Sequence, residues 1–203
     1  MKKRTLLLCL VLVFTGAGIL TGCKTYLHFR YGLTRPAEES PASLREFLAK
    51  GLYPSGGQYL FRDSAAFGWA ARNANFRKYL FSHMIFDRDG VLLQRDTTQC
   101  QWWGFDRIAA LEPGGDYEKS TDVRLDEILP EIIPLTPDSA ASADPDFTVV
   151  VLWAKFLGRY NSRLFVLGKA AEMNKKARIR VIWLNTDMQQ EWHLRDGQKM
   201  GFR

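Results

Sequence analysis

The run Phe147-Thr148-Val149-Val150-Val151-Leu152-Trp153 limits more than any other feature what this chain can fold into. It is almost continuously apolar and β-branched, so a strand made of it has no face to give to water. Such a strand is buried on both sides and is usually a central, parallel one. Leu164, Leu167 and Ala171 then share one stripe of a helix expected over Asn161 to Asn174. Ile179 to Leu184 is a second buried strand. Strand, helix and strand at this spacing predict a right-handed βαβ unit and an α/β fold.

The upstream half supplies shorter elements. Tyr59 to Phe61 reads as a strand, Ser64 to Phe76 as a helix, and Tyr79 to Phe86 as a second strand. Asp87-Arg88-Asp89-Gly90 is a tight turn that returns the chain through Val91-Leu92-Leu93 as a hairpin. A helix over Ala42 to Lys50 has capping-box spacing at Ser43 and Glu46, and Gly51 stops it. Pro54 to Gly57 is a turn. Helices are expected from near Cys100, ending at Pro113-Gly114-Gly115, and over Asp122 to Leu129 before Pro130. Lys24 to Ser43 reads as a tether, and Leu135 to Asp146 as a flexible connector with nothing to bury. The division expected is therefore 1–22 leader, 23–43 tether, 44–134 the first part of the α/β domain, 135–146 connector, and 147–203 the βαβ part of the same domain.

The leader has three parts in order: Lys2-Lys3-Arg4, the apolar Leu6 to Phe14, and the tetrad Leu20-Thr21-Gly22-Cys23. This is a secretory signal. The tetrad resembles the lipobox of bacterial lipoproteins, which implies cleavage before Cys23 and lipidation of its thiol and amine. An uncleaved signal-anchor helix over Thr5 to Gly22 is the competing reading. Either anchors the chain in a membrane of the cell envelope with its bulk facing the periplasm. Lys24 stands where the enteric sorting rule would need an Asp for inner-membrane retention, so the outer membrane is the default. Without the leader's three basic residues the chain carries 25 basic and 22 acidic groups, a net +3. That is too small and too scattered a charge to expect a nucleic-acid partner. Cys100 would be the single free thiol, with no disulfide partner.

Phe147 to Asp187 resembles a thioredoxin-like domain. Val150 to Tyr160 matches the family's strand, Trp-Ala and redox-loop stretch, and Val181 to Asp187 its next strand and following Asp. Met84 to Leu93 matches its closing antiparallel hairpin. The resemblance implies a three-layer sandwich with a mixed sheet of about five strands. The hairpin precedes the βαβ unit here, so a permuted or divergent version is implied. The family's redox cysteines fall on Leu157 and Tyr160, which form no thiolate, and Phe81-Ser82-His83 occupies the region of its cis-proline. The implied function is a redox-inactive binding or scaffolding module without a cofactor. It would recognise another envelope protein through an edge made of Trp153, Phe156, Leu157, Arg159 and Tyr160.

Other chemistry has weaker support. Ile85 to Leu92 resembles motif one of haloacid-dehalogenase-type phosphatases, which would make Asp87 the nucleophile and Asp89 the acid/base beside Mg²⁺. That family also needs a strand ending in Ser or Thr, where this chain has Ala154, and a later Lys and acidic pair. Asp87 and Asp89 have the first two spacings of a calcium loop, but Val91 stands where a third oxygen is needed. His28, His83 and His193 are isolated and have no zinc spacing. Gln101 to Phe105, with Trp102 and Trp103, is a carbohydrate or protein contact or, more simply, core.

Overall fold

The computed structural model describes residues 30–50, 57–95, 103–136 and 144–194. In chain order the elements are β1 (Glu38–Glu39), α1 (Pro41–Lys50), β2 (Gly57–Phe61), α2 (Ser64–Arg72), α3 (Ala74–Arg77), β3 (His83–Asp87), β4 (Val91–Leu93), α4 (Trp103–Ala110), β5 (Lys119–Arg124), α5 (Leu125–Ile128), β6 (Ile132–Pro134), β7 (Phe147–Trp153), α6 (Asn161–Met173), β8 (Ile179–Asn185) and β9 (Met188–Gln189). Seven strands form one mixed sheet in the order β5-β4-β3-β7-β8-β2-β6. β7, β8 and β2 run parallel, and antiparallel strands flank them on both sides.

β7 lies at the centre, as its composition requires, and every residue of it is buried. Phe147, Val149, Val151 and Trp153 face one apolar layer with Leu164, Phe165 and Leu167 of α6 and Ile108 of α4. Val150 and Leu152 face the other, with Ala66, Phe67 and Ala70 of α2 and Phe76 of α3. Helices thus cover both faces. Each fully buried Val, Leu or Phe contributes roughly 1.5–3 kcal/mol, which makes this strand the centre of stability. β7 and β8 pair in parallel from Phe147↔Ile179 to Trp153↔Asn185, with α6 packed over them. The expected βαβ unit is therefore present. The hairpin is present too, with Phe86 opposite Leu92 and Gly90 turning at φ 73°.

Several expectations need correction. The sheet has seven strands rather than five. Lys119–Arg124 is a strand where a helix from Asp122 was expected, and the helix that follows is only Leu125–Ile128. The helix expected over Ser64 to Phe76 breaks at Asn73. That residue's backbone N–H donates to Trp69 O, while its Oδ1 accepts from Asn75 and Phe76 and starts the next helix. The second upstream strand begins at His83, not Tyr79. Leu135 is buried and donates its N–H to Gln58 O, so the connector starts later. The expected tether is folded from Arg30 onward, and Glu38–Glu39 pair in parallel with Met188–Gln189. The Pro54 turn up to Gly56, Cys23, Cys100 and Trp102 lie outside the described residues.

Candidate functional site

The parallel strands β7 and β8 end side by side at Trp153 and Asn185. In α/β sheets the crevice beyond the carboxyl ends of the strands is where ligands bind. Here that end carries the loop from Ala154 to Tyr160 and the start of α6 at Asn161. The helix expected over Asn161 to Asn174 is found at Asn161–Met173, so Leu157 lies ahead of its first turn. The intervening residues form 3₁₀ turns with a kink at Gly158 (φ 53°, ψ −128°), and only Tyr160 adjoins the helix.

The sequence-predicted edge is brought together but is not open. Trp153, Phe156 and Leu157 are buried, whereas Arg159 is exposed and Tyr160 half-buried. The cover is the chain's own segment 31–39, which we call the strap. Thr34 N–H donates to Phe156 O at 2.9 Å. The Tyr31 ring meets the Tyr160 ring edge-on, with centroids 5.7 Å apart. Gly158 passes so close that a Cβ there would lie 2.3 Å from Gly32 O. Further along, Lys155 Nζ donates to Glu39 Oε2 and Ser43 Oγ, each at 2.7 Å.

A buried polar cluster lies beneath the strap. Asp187 Oδ2 accepts from Lys155 N–H at 2.6 Å and from Asn185 Nδ2 at 2.8 Å. Burial pushes its carboxyl up to about 6, against the lowering effect of those two donors. Asn161 Nδ2 donates to Ala154 O at 2.8 Å and ties the helix start to the strand end. Trp153 Nε1, Asn161 Oδ1, Asp187 Oδ1 and Gln189 Oε1 are buried without a hydrogen-bonding partner among the described residues. Four such atoms at one strand end are unusual, because buried polar atoms are nearly always paired.

Beside the loop a cleft of about 250 Å³ remains open, lined by Phe81, His83, Phe105, Asp106, Tyr160 and Arg163 among others. Phe81 is held at φ 58° and packs edge-on against Phe156 at 5.5 Å. A bulky residue in that conformation costs on the order of 1–3 kcal/mol and persists only where its surroundings hold it. His83, which has no zinc spacing to another histidine, is half-buried as expected and forms a wall of this cleft. Gly104 leaves it room, since a Cβ there would lie 2.4 Å from its ring. Burial first, then Arg95 and Arg107, lower its pKa to about 4, so the imidazole is neutral at physiological pH. Nothing in the spacing of Phe81 or His83 announced either role.

Asp87 and Asp89 sit at the opposite end of the sheet, where Asp87 pairs with Phe147. Asp87 Oδ1 accepts from the N–H groups of Asp89 and Val91, and Oδ2 is 2.8 Å from Lys119 Nζ. The carboxylate is thus fully occupied in holding the turn. A cleft of about 350 Å³ adjoins it, also lined by Arg88, Tyr117, Lys119 and Asp146. No group of three or more His, Cys, Asp or Glu that could hold a metal ion occurs among the described residues, and none of their helices is long and apolar enough to cross a membrane. Comparison with protein-family models, with curated proteins and with solved structures gives no match.

Proposed function

We propose that this chain is an envelope lipoprotein, anchored through Cys23. Its α/β domain is a redox-inactive, rearranged thioredoxin-like module that binds another envelope component. The observation that carries the reading is the loop after β7. The two positions where the family keeps sulfur hold buried Leu157 and half-buried Tyr160, and the chain's own strap lies across them. An antiparallel hairpin beside a parallel βαβ unit, with the loop at the strand end, supports the thioredoxin-like reading. Disulfide exchange needs a thiolate in reach, and neither residue can supply one. What remains accessible there is exposed Arg159 and, beside it, the cleft along α6 with Tyr160, Arg163 and neutral His83, which suits recognition.

The test is a photo-crosslinking residue at Val166, which lines the cleft, in the full-length protein in its own envelope, with a second one at Asp89 as control. The reading predicts a discrete adduct from Val166 only, palmitate incorporation lost in Cys23→Ser, and no insulin reduction. Reductase turnover by the unmodified chain, or identical adducts from both positions, contradicts it.

A further inference from the structure

We infer that the face formed by the strap and the loop, carrying Arg30, Arg35, Arg159 and Arg163, docks on anionic phospholipid headgroups of the membrane that anchors the chain. This rests on the anchored reading above and names what the recognition face meets. The tether from Cys23 is short. Folded structure begins by Arg30, seven residues after Cys23. Seven residues span at most about 25 Å when fully extended. A body of this size has a radius of gyration of about 15 Å and is roughly 40 Å across. To turn the hairpin end toward the membrane, Arg30 would have to rise about that full width, which the leash cannot reach. A signal-anchor helix ending at Gly22 adds only one residue and changes nothing.

The guanidinium groups of Arg30 and Arg163 lie 5.9 and 4.7 Å from the Tyr31 ring centroid, and Arg163 lies 5.9 Å from that of Tyr160. Arg159 reaches the backbone of Gly32, where a Cβ would lie 3.7 Å from its Nε. Arg30, Arg35 and Arg159 are exposed. Arginines interleaved with tyrosines suit the headgroup zone, where amphipathic rings settle and cations are drawn to acidic lipid. The two acids of the strap, Glu38 and Glu39, are half-buried, and Glu39 is engaged by Lys155. At the hairpin end Arg88, Lys119 and Arg178 face Asp144, Asp87 and Asp146. Folding thus brings Arg30, and Arg159 and Arg163 far from it in the sequence, around Tyr31, Gly32 and Tyr160, with Asp106 across the cleft from Arg163.

The test uses the full lipidated chain in nanodiscs, with Cys100→Ser as background and one fluorophore at Ser162→Cys or Asp89→Cys. Discs contain phosphatidylcholine alone or with about 30% phosphatidylglycerol, and a quencher on the headgroups reads proximity. Quenching at position 162 should exceed that at 89, and should be about twofold or more stronger on anionic discs. It should fall with Arg159→Glu and Arg163→Glu together, and in about 0.5 M salt, where screening shortens to roughly 4 Å. Equal quenching at both positions, or no response to lipid charge and charge reversal, overturns the proposal. So does a position 162 shielded only after solubilised envelope proteins are added, which would assign the face to a protein. Intact mass is read first. An unlipidated, cleaved product breaks the anchoring reading and takes this proposal with it.

Discussion

The two ends of the sheet hold similar side chains and use them in opposite ways. At the hairpin end Asp87, Asp89, Asp144 and Asp146 stand beside Arg88, Lys119 and Arg178 at or near the surface. Exposed pairs of this kind each contribute about 0–1 kcal/mol. At the loop end one acid, Asp187, is buried under the strap with two N–H donors and one unpaired oxygen. The acid-rich motif that is conspicuous in the sequence is a capped turn. The acid whose chemistry is perturbed is a single residue after a strand. Number of acids in a motif is a poor guide to reactivity, and burial at the carboxyl end of parallel strands is a better one.

The largest expected effect is common to both ends. Val150 is fully buried between Met84 and Ile182. Val150→Asp should cost more than about 4 kcal/mol and unfold both ends in one transition, as followed by urea denaturation. A folded variant in which only one end is lost would show that the sheet does not couple them.

Two glycines come next. Gly158→Ala places a Cβ 2.3 Å from Gly32 O at a positive φ, so it should cost several kcal/mol or release the strap. Gly90→Ala, also at positive φ but with its nearest contact at 3.4 Å, should cost only about 1–2 kcal/mol. Equal losses of melting temperature would remove the contrast between a sealed end and an open one.

Acidity separates Asp187 from His83. Folded Asp187 keeps its proton up to about pH 6, against 3.8 for the free group. The folded state therefore binds more protons between those values, and this term weakens the fold as pH rises from 4 to 6. Folded His83 has its pKa lowered from 6.5 to about 4, so the stability it contributes is full above 6.5 and lost as pH falls toward 4. The two slopes oppose each other, so these two terms largely cancel between pH 4 and 6 in the wild type. Asp187→Asn should make stability fall on acidification, and His83→Gln should make it rise, by a couple of kcal/mol at about 1.4 per pKa unit. Denaturant midpoints across this range provide the readout, and flat profiles in both variants would contradict the assignment.

The smallest effect is expected at the motif itself. Asp87→Asn keeps the acceptor for the turn and loses only the Lys119 pair, so the melting midpoint should move by less than about 1 kcal/mol equivalent. A large loss would mean that the hairpin end does more than close a turn.

How much was legible follows the same division. β7, β8, α6 and the hairpin could be read because buried apolar runs, a helical stripe and an Asp-Gly turn are local signals. β5 could not, because the edge strand Lys-Ser-Thr-Asp-Val-Arg buries only Val123 and lacks a strand's apolar alternation. β6 has three residues, and β1 exists only because β9 is there to pair with it. The residues Trp153 to Tyr160 were read from the sequence as one recognition edge, yet Trp153, Phe156 and Leu157 are buried. The strap that covers them has no periodicity, and its order comes from contacts more than a hundred residues away in the chain. Asn174 is a similar case. Its side chain donates to Ile108 O and Leu111 O and accepts from Lys176 and Ala177, joining α4 to the end of α6, a role no local pattern announces.

Amide hydrogen exchange at Thr34 in the full-length protein tests the central claim most directly, that the chain's own strap seals the loop. Its N–H is bonded to Phe156 O. The account predicts exchange slowed by orders of magnitude and accelerated in Gly158→Ala, while the amides of β7 stay protected. Exchange of Thr34 at the rate of an unstructured peptide in the unmodified protein would contradict it.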